Sequence, residues 1–269
     1  MKVKISNIFM YGFLSVAAFL SLFPLVWTLI ASTNANADIL AGTLLPGTNL
    51  FQNFARLTEL TNLGRAFWNS ARNAMLATFI SMVICSLAGY GFEIFYSKAK
   101  DRLMSILLLS MMIPFAAIMI PLFQLAGNLN LLNTTLGFML PSLSTAFLIM
   151  LFRQSTRTFP REMIEAARID GLNELSIFVR IYVPTMKSTY AAAITITFMA
   201  AWNVFLWPRI IMISPDSITM PLLISNLMAG YVADFGVIML AVTIATLPTI
   251  LIFFFLQRYF AEGVLGAVK

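Results

Sequence analysis

Residues 153–183 gather four carboxylates, Glu162, Glu165, Asp170 and Glu174, among five arginines, Arg153, Arg157, Arg161, Arg168 and Arg180. Converging acids of this kind could act as general acid and base in a transferase working at a membrane face. They could equally form a charged surface on which another protein docks. Other reactive combinations are missing from the chain. With 0 His and 1 Cys it offers no His-dependent triad, no His-based metal site and no intrachain disulfide. The G-x-x-x-x-G-K-[ST] phosphate loop is absent as well, so ATP is not bound in that manner. No metal and no cofactor are expected.

The elements that must carry these residues are set by composition. Hydrophobic residues make up 60% of the 269 and charged residues 10%, against about 45–50% and 25% in soluble domains. A chain so apolar would expose large greasy patches in water, so an integral membrane protein is expected and soluble or disordered classes are excluded. About 20 apolar residues in helical form cross a bilayer. Charge-poor stretches of that size occur six times, near 8–30, 69–95, 103–125, 136–152, 186–208 and 236–256. A β-barrel would alternate apolar and polar residues, and runs such as 104–112 do not. The expected fold is all-α, one polytopic transmembrane domain over 1–269 with six spans. Ala35-Asn36-Ala37 has the small-x-small look of a signal-peptidase site, but the apolar run before it is too long for a signal h-region. An uncleaved anchor is expected there.

Six spans place both termini on one side. With the N-terminus inside, the outer segments hold only Arg56, Arg65, Arg72 and Arg209, while the inner segments hold the other 13 of the 17 basic residues, among them Lys2, Lys4, Arg258 and Lys269. Lysine and arginine are retained on the cytoplasmic side during insertion, so both termini are expected there. The net charge of +6 follows from this topology and calls for no nucleic acid.

Among the loops, 32–68 carries the turn formers Pro46-Gly47 and an Asn/Phe-rich stretch, 49–54, that could cap the domain. The 209–235 loop still holds Ile211, Leu222 and Met228 and is expected to pack back toward the membrane surface. The inner loop 153–184 is far longer than the few residues needed to join two helices. Proline fits a first helical turn, so Phe159-Pro160 can start a helix over 161–169, which Gly171 can end in the left-handed conformation. Asn173 can cap a second helix over 174–180, and Pro184 introduces the fifth span. Ala166 and Ala167 give a small-side-chain patch open to close approach. The alternative is an amphipathic elbow on the bilayer, with Leu172, Leu175, Ile177 and Phe178 in lipid.

The loop carries a resemblance. Glu165-Ala166-Ala167, Asp170-Gly171, then Ile181 and Val183-Pro184 resemble the EAA loop of ABC importer permeases, E-A-A, three residues, G, nine residues, I, one residue, L-P. Val183 replaces leucine, and Ser188 stands where a further proline is frequent. The layout and the ending Gly263 to Lys269 are similar to the smaller permease of the maltose-type carbohydrate importers. The resemblance implies a non-catalytic half-channel that works with a second permease subunit, two cytoplasmic ATP-binding subunits and an extracellular solute-binding protein, in the bacterial cytoplasmic membrane. It further implies that the loop is a coupling helix between spans four and five, with Glu165, Ala166, Ala167, Asp170 and Gly171 as the ATPase-docking element.

Ion-coupled secondary carriers, the remaining alternative, usually hold an ionisable site near the bilayer centre. None of the six spans has one. Glu93 comes closest, but it lies near the inner end of the second span, where it is expected to anchor at the interface or to pair with basic residues. Pro24, Pro114, Pro121, Pro141 and Pro248 fall inside spans, where each can kink or hinge a helix. A sugar pathway should present aromatic faces with amides or hydroxyls, and Tyr90, Trp202 and Asn203 are its candidates, with Ser86 nearby and Asn69, Arg72 and Asn73 at the outer mouth. Asn203 needs an interhelical partner or a wet cavity, and Trp207 sits where an interfacial belt would place it.

Overall fold

The computed structural model describes residues 5–230 and 233–266. Lys2, Lys4 and Lys269, counted above on the inner side, lie outside the described residues, as do Ala267 and Val268 of the glycine-rich ending. The helices run in the order α1 (Ile5–Ala31), α2 (Asn36–Leu40), α3 (Leu50–Leu60), α4 (Leu63–Ile94), α5 (Lys98–Ser110), α6 (Phe115–Asn128), α7 (Thr135–Met139) and α8 (Ala146–Thr156). There follow α9 (Arg161–Ile169), α10 (Glu174–Ile177), a π-helical turn over Phe178–Tyr182, α11 (Val183–Thr185), α12 (Lys187–Asn203), α13 (Leu206–Ile211), α14 (Met220–Met228) and α15 (Phe235–Gly266). Among the described residues there is no strand, and the protein is all-helical.

Among the described residues, four helical segments are long and apolar enough to cross a membrane, or up to six if each of two bent pairs counts as one span. The third stretch, expected as one helix over 103–125, is instead α5 and α6 turned by 97° about 111–114. Pro114 caps α6 with φ −64°, and a residue before proline is steered out of the α region, so the chain leaves the helix at Ile113. The fourth is likewise bent by 54° between α7 and α8, where Pro141 sits in a short 3-10 turn. The fifth is interrupted after Asn203, with Val204 extended at ψ 130°. Proline in a helix clashes with the carbonyl four residues earlier, and Pro208 stands four residues after Val204. Pro24, Pro121 and Pro248 remain inside continuous helices.

By its contacts the chain divides into two compact units, Met1–Arg65 with Met220–Leu247, and Ala66–Thr219 with Pro248–Lys269. In the first, α1 is apolar on every side, and side chains from Phe9 to Leu29 are mostly exposed, as suits a helix whose solvent is lipid. The 32–68 loop is folded. Asn53 donates to the carbonyls of Ser32 and Asn34, both at 3.0 Å, and Asn34 donates to Leu45 at 3.0 Å. Gly47 approaches Asn34 so closely that a Cβ there would lie 2.2 Å from its Oδ1. Arg56 pairs with Asp234 at 3.0 Å, and α14 buries Leu222 and Leu223.

The second unit is organised on α4, which buries an unusual run of polar side chains. Some of these satisfy backbone freed by the α7–α8 break: Ser81 Oγ donates to Ser142 O at 3.3 Å and the Cys85 thiol to Leu143 O at 3.6 Å. Unpaired carbonyls are costly away from water, so such donors are what permit a broken helix at all. Further along, α4 meets α8 at Gly89, where a Cβ would fall 2.5 Å from Cβ of Phe152 and 2.8 Å from the Arg153 nitrogen. Only glycine allows that approach.

Candidate functional site

The loop helix α9 begins after Pro160, which occupies the cap, with Glu162 in the first turn near the positive end of the helix dipole. It ends as Gly171 takes φ +80°. Gly171 N–H donates to Arg168 O at 3.1 Å and Leu172 N–H to Ala167 O at 3.0 Å, the double bond of a Schellman stop. Asn173 then caps α10, its Oδ1 accepting from Ser176 N–H at 2.8 Å. The second helix is shorter than the 174–180 expected. It widens at Phe178 into the π turn, because Pro184 has no N–H to return to the carbonyl of Arg180.

The two faces of α9 differ. Ile164 and Ala167 are buried in a cluster with Tyr90, Phe159, Ile177, Phe178, Tyr182 and Met186. Glu162, Met163, Glu165, Ala166, Ile169 and Asp170 are exposed, Ile169 at 87%. The alanine pair therefore divides: Ala166 lies on the open face and Ala167 is packed inside. The elbow alternative is corrected by the same packing, since Ile177 and Phe178 are in the cluster, Leu172 packs against it and only Leu175 of the four is exposed. Tyr182 is the ring at its centre. It lies 4.9 Å from Tyr90 and 5.3 Å from Phe178, shares a 2.7 Å hydrogen bond with Thr156, and is pushed up to about 12 in pKa by burial.

Beneath α9 lies a charge cluster. Glu93, buried in the last turn of α4, accepts from Arg153 Nε and Arg157 Nε at 3.3 Å and pairs with Arg161 at 3.6 Å. Arg153 also pairs with Asp101, whose other oxygen accepts from Tyr96 at 2.7 Å. At the far end of α9, Arg168 donates to Glu174 at 2.7 Å, which raises the guanidinium pKa further, and Glu174 accepts from Tyr90 at 3.3 Å. Pairing of Glu93 with basic residues was expected, but its partners come from some sixty residues away rather than from nearby Lys98. The one sequence signal was the four-residue step of Arg153, Arg157 and Arg161.

The pathway candidates are not brought together. Tyr90 is enclosed by the loop cluster and its hydroxyl is engaged by Glu174, so it offers no free face. Asn203 is exposed and its amide donates to Met199 O in its own helix at 2.9 Å, not to another helix, because α12 ends there and leaves that carbonyl within reach. Trp202 is buried, edge-on to Phe67 at 5.5 Å and stacked on Phe198 at 5.8 Å. It lines, with Ser86, an apolar cavity of about 870 Å³ along α4 and α12. Asn69 and Asn73 have structural partners: Asn69 donates to Asp216 O and Ile218 O at 2.8 and 3.0 Å, and Asn73 accepts from Thr135 at 2.9 Å. Trp207, expected in an interfacial belt, is buried and donates to Gly137 O at 2.9 Å. A second cavity of about 570 Å³ escaped notice in the sequence, because it forms where three helix breaks converge, at Met111–Phe115, Ser142–Thr145 and Val204–Leu206. Phe115, Phe138 and Trp207 line it with Thr145 and Thr197, and the buried Thr197 hydroxyl has no hydrogen-bond partner among the described residues.

Among the described residues no group of His, Cys, Asp or Glu could hold a metal ion. Of the loop's carboxylates, Glu174 is taken by Arg168, while Glu162, Glu165 and Asp170 are exposed along α9. The chain is 46% identical over 269 residues to the lactose transport system permease protein LacG of Rhizobium radiobacter, covering 100% of this chain and 98% of that one. It is 32% identical to the arabinooligosaccharides transport system permease protein AraQ of Bacillus subtilis (strain 168), covering 96% and 94%. In fold it is similar to a chain from the crystal structure of a bacterial ABC transporter involved in the import of the acidic polysaccharide alginate, with TM-score 0.82 and 21% identity over 96% of this chain and 97% of that one. Residues 87–266, which hold α9, the aromatic cluster and Glu93 with its arginines, match the binding-protein-dependent transport system inner membrane component, and the chain belongs to that family.

Proposed function

We propose that this chain is the permease subunit of an ATP-driven bacterial importer of oligosaccharides. It forms half of the translocation pathway beside a second permease subunit, in the cytoplasmic membrane, with both termini and α9 on the cytoplasmic side. An extracellular solute-binding protein delivers the sugar, and one of two cytoplasmic ATP-binding subunits seats α9. The sugar assignment is supported by the names of LacG and AraQ, which match this chain nearly end to end. Membership of a transport family also argues against the transferase and the ion-coupled carrier.

One observation carries the docking assignment. A helix anchored from below by Ile164 and Ala167 presents Glu165, Ala166, Asp170 and a fully open Ile169 outward, and an apolar side chain at 87% exposure at the water side asks for a cover. For the pathway, the cavity of about 570 Å³ combines aromatic faces with hydroxyls, the two functions a sugar needs, and discontinuous helices are where membrane carriers build such sites. Trp202 would line the neighbouring route.

The test is a detergent pull-down of the complex. Glu165→Lys places a cation on the open face, and Gly171→Pro forbids the positive φ of the helix stop. Both variants should insert normally yet recover at least ten-fold less ATP-binding subunit. Recovery at the wild-type level in both would refute the docking assignment. Uptake of lactose, arabinooligosaccharides and an amino-acid control by cells carrying the wild-type complex tests the substrate class.

A further inference from the structure

The ion pairs around α9 have a pattern that packing alone does not require. Both ends of the helix are tied, and both to the same element. At its start, Arg161 reaches Glu93 on α4 at 3.6 Å. At its end, Arg168 holds Glu174 at 2.7 Å, Glu174 takes the hydroxyl of Tyr90 on α4 at 3.3 Å, and the Arg168 guanidinium lies 5.9 Å from the ring of Phe95, just past α4. Tyr90 and Glu93 lie in the last two turns of α4, and Phe95 follows directly after it. The same Glu93 collects Arg153 and Arg157 from α8 and the segment after it, at 3.3 Å each. Next to it, Gly89 lets α4 touch the α8 backbone.

We infer that Glu93 is a positioning residue that fastens α9 to α4 and α8, so that movement of a docked ATP-binding subunit is delivered to those two helices instead of being absorbed in the loop. The inference rests on the docking assignment above and deepens it by naming the helices that receive the force. Its physical basis is the difference between the two sides of the carboxylate. Arg153 is buried and fixes Glu93 to α8, whereas the Arg157 and Arg161 side chains are about half or more exposed, at 47% and 62%. A buried charge with one fixed partner cannot follow α9 out into water without losing that partner, so α9 and α4 move together. Two further features stiffen the tie: Ile164 and Ala167 are buried in one cluster with Tyr90 and Tyr182, and at Gly89 α4 lies directly against α8.

The experiment uses the whole transporter, with both permeases and the ATP-binding subunits, in liposomes with the binding protein and sugar. Glu93→Gln keeps the shape and some hydrogen bonding but removes the charge. It should retain the ATP-binding subunit in the pull-down at wild-type level, hydrolyse ATP, and consume at least five-fold more ATP per sugar moved. Glu93→Asp should restore that ratio to within two-fold. Arg161→Gln, at an exposed site that carries no folding burden, should raise the ratio about two-fold. That variant keeps the inference testable if Glu93→Gln fails to accumulate. A wild-type ratio in Glu93→Gln, or in Arg161→Gln where only the latter can be purified, overturns the inference. Wild-type recovery of the ATP-binding subunit by Glu165→Lys and Gly171→Pro would instead sink the docking assignment, which separates the two failures.

Discussion

The two ends of α4 are held by different chemistry. At the loop end, Tyr90 and Glu93 engage rings and full charges, reaching Glu174, Arg153, Arg157 and Arg161. At the other end, Asn69 and Asn73 engage neutral groups, two backbone carbonyls near residue 217 and one threonine hydroxyl. Neutral amide bonds act over one contact distance and fix irregular backbone in place. Ion pairs act over longer range and tolerate small changes of geometry. A helix pinned by amides at one end and gripped by charges at the other is suited to pivot about the first while being moved from the second.

Breaking the grip should cost more than breaking the pin. Arg153→Ala leaves Glu93 and Asp101 without their shared buried partner, and losing one member of a buried pair typically costs about 3–5 kcal/mol. Arg157 and Arg161 still face Glu93, so the low end, about 3 kcal/mol, is expected, read as a fall in the midpoint of denaturant unfolding in detergent. A loss no larger than that of a surface substitution would mean that Arg157 and Arg161 hold Glu93 by themselves. Next comes Gly89→Val. Its Cβ would meet Phe152 at 2.5 Å and the backbone nitrogen of Arg153 at 2.8 Å, so α4 and α8 must part. Overpacking of this sort costs about 2 kcal/mol, and it should raise ATP use per sugar even in protein that stays folded.

How much of this was legible in the sequence depends on distance along the chain. The Gly171 stop and the Asn173 cap are local chemistry, and both are found where the residue types place them. The proline positions were equally plain, but Pro24 stays inside a continuous helix while Pro114 accompanies a 97° turn. What separates them is the surroundings: backbone groups released by a bend must find donors, as Ser81 and Cys85 supply at the α7–α8 break, and no window of sequence records that. The charge cluster was illegible for the same reason. Glu93 and its arginines are joined only once α4 and α8 lie side by side. Asn203 and Trp207 misled because an amide or indole in an apolar stretch has several ways to be satisfied, and here a backbone carbonyl took each of them.

At the amide end, Asn69→Ala should cost about 1 kcal/mol, less than either change at the loop end. Two neutral hydrogen bonds are lost, but the abandoned acceptors are carbonyls, which tolerate partial satisfaction better than donors do. The same midpoint measurement checks it, and a loss matching that of Arg153→Ala would erase the contrast between the ends.

The smallest effects come from two tyrosine hydroxyls, both at the loop end, which separate burial from bonding. Tyr182→Phe removes a fully buried hydroxyl that shares a 2.7 Å bond with Thr156. Thr156 keeps its bond to Phe152 O, so no donor is stranded and the loss should be somewhat under 1 kcal/mol. Tyr96→Phe removes an exposed hydroxyl from Asp101, which keeps Arg153 and has water to replace the bond. No measurable change in midpoint is expected. If Tyr96→Phe instead lowered the midpoint as much as Tyr182→Phe, the exposed rim of the charge cluster would be as tightly organised as its interior, and the grip on α4 would extend outward to the start of α5.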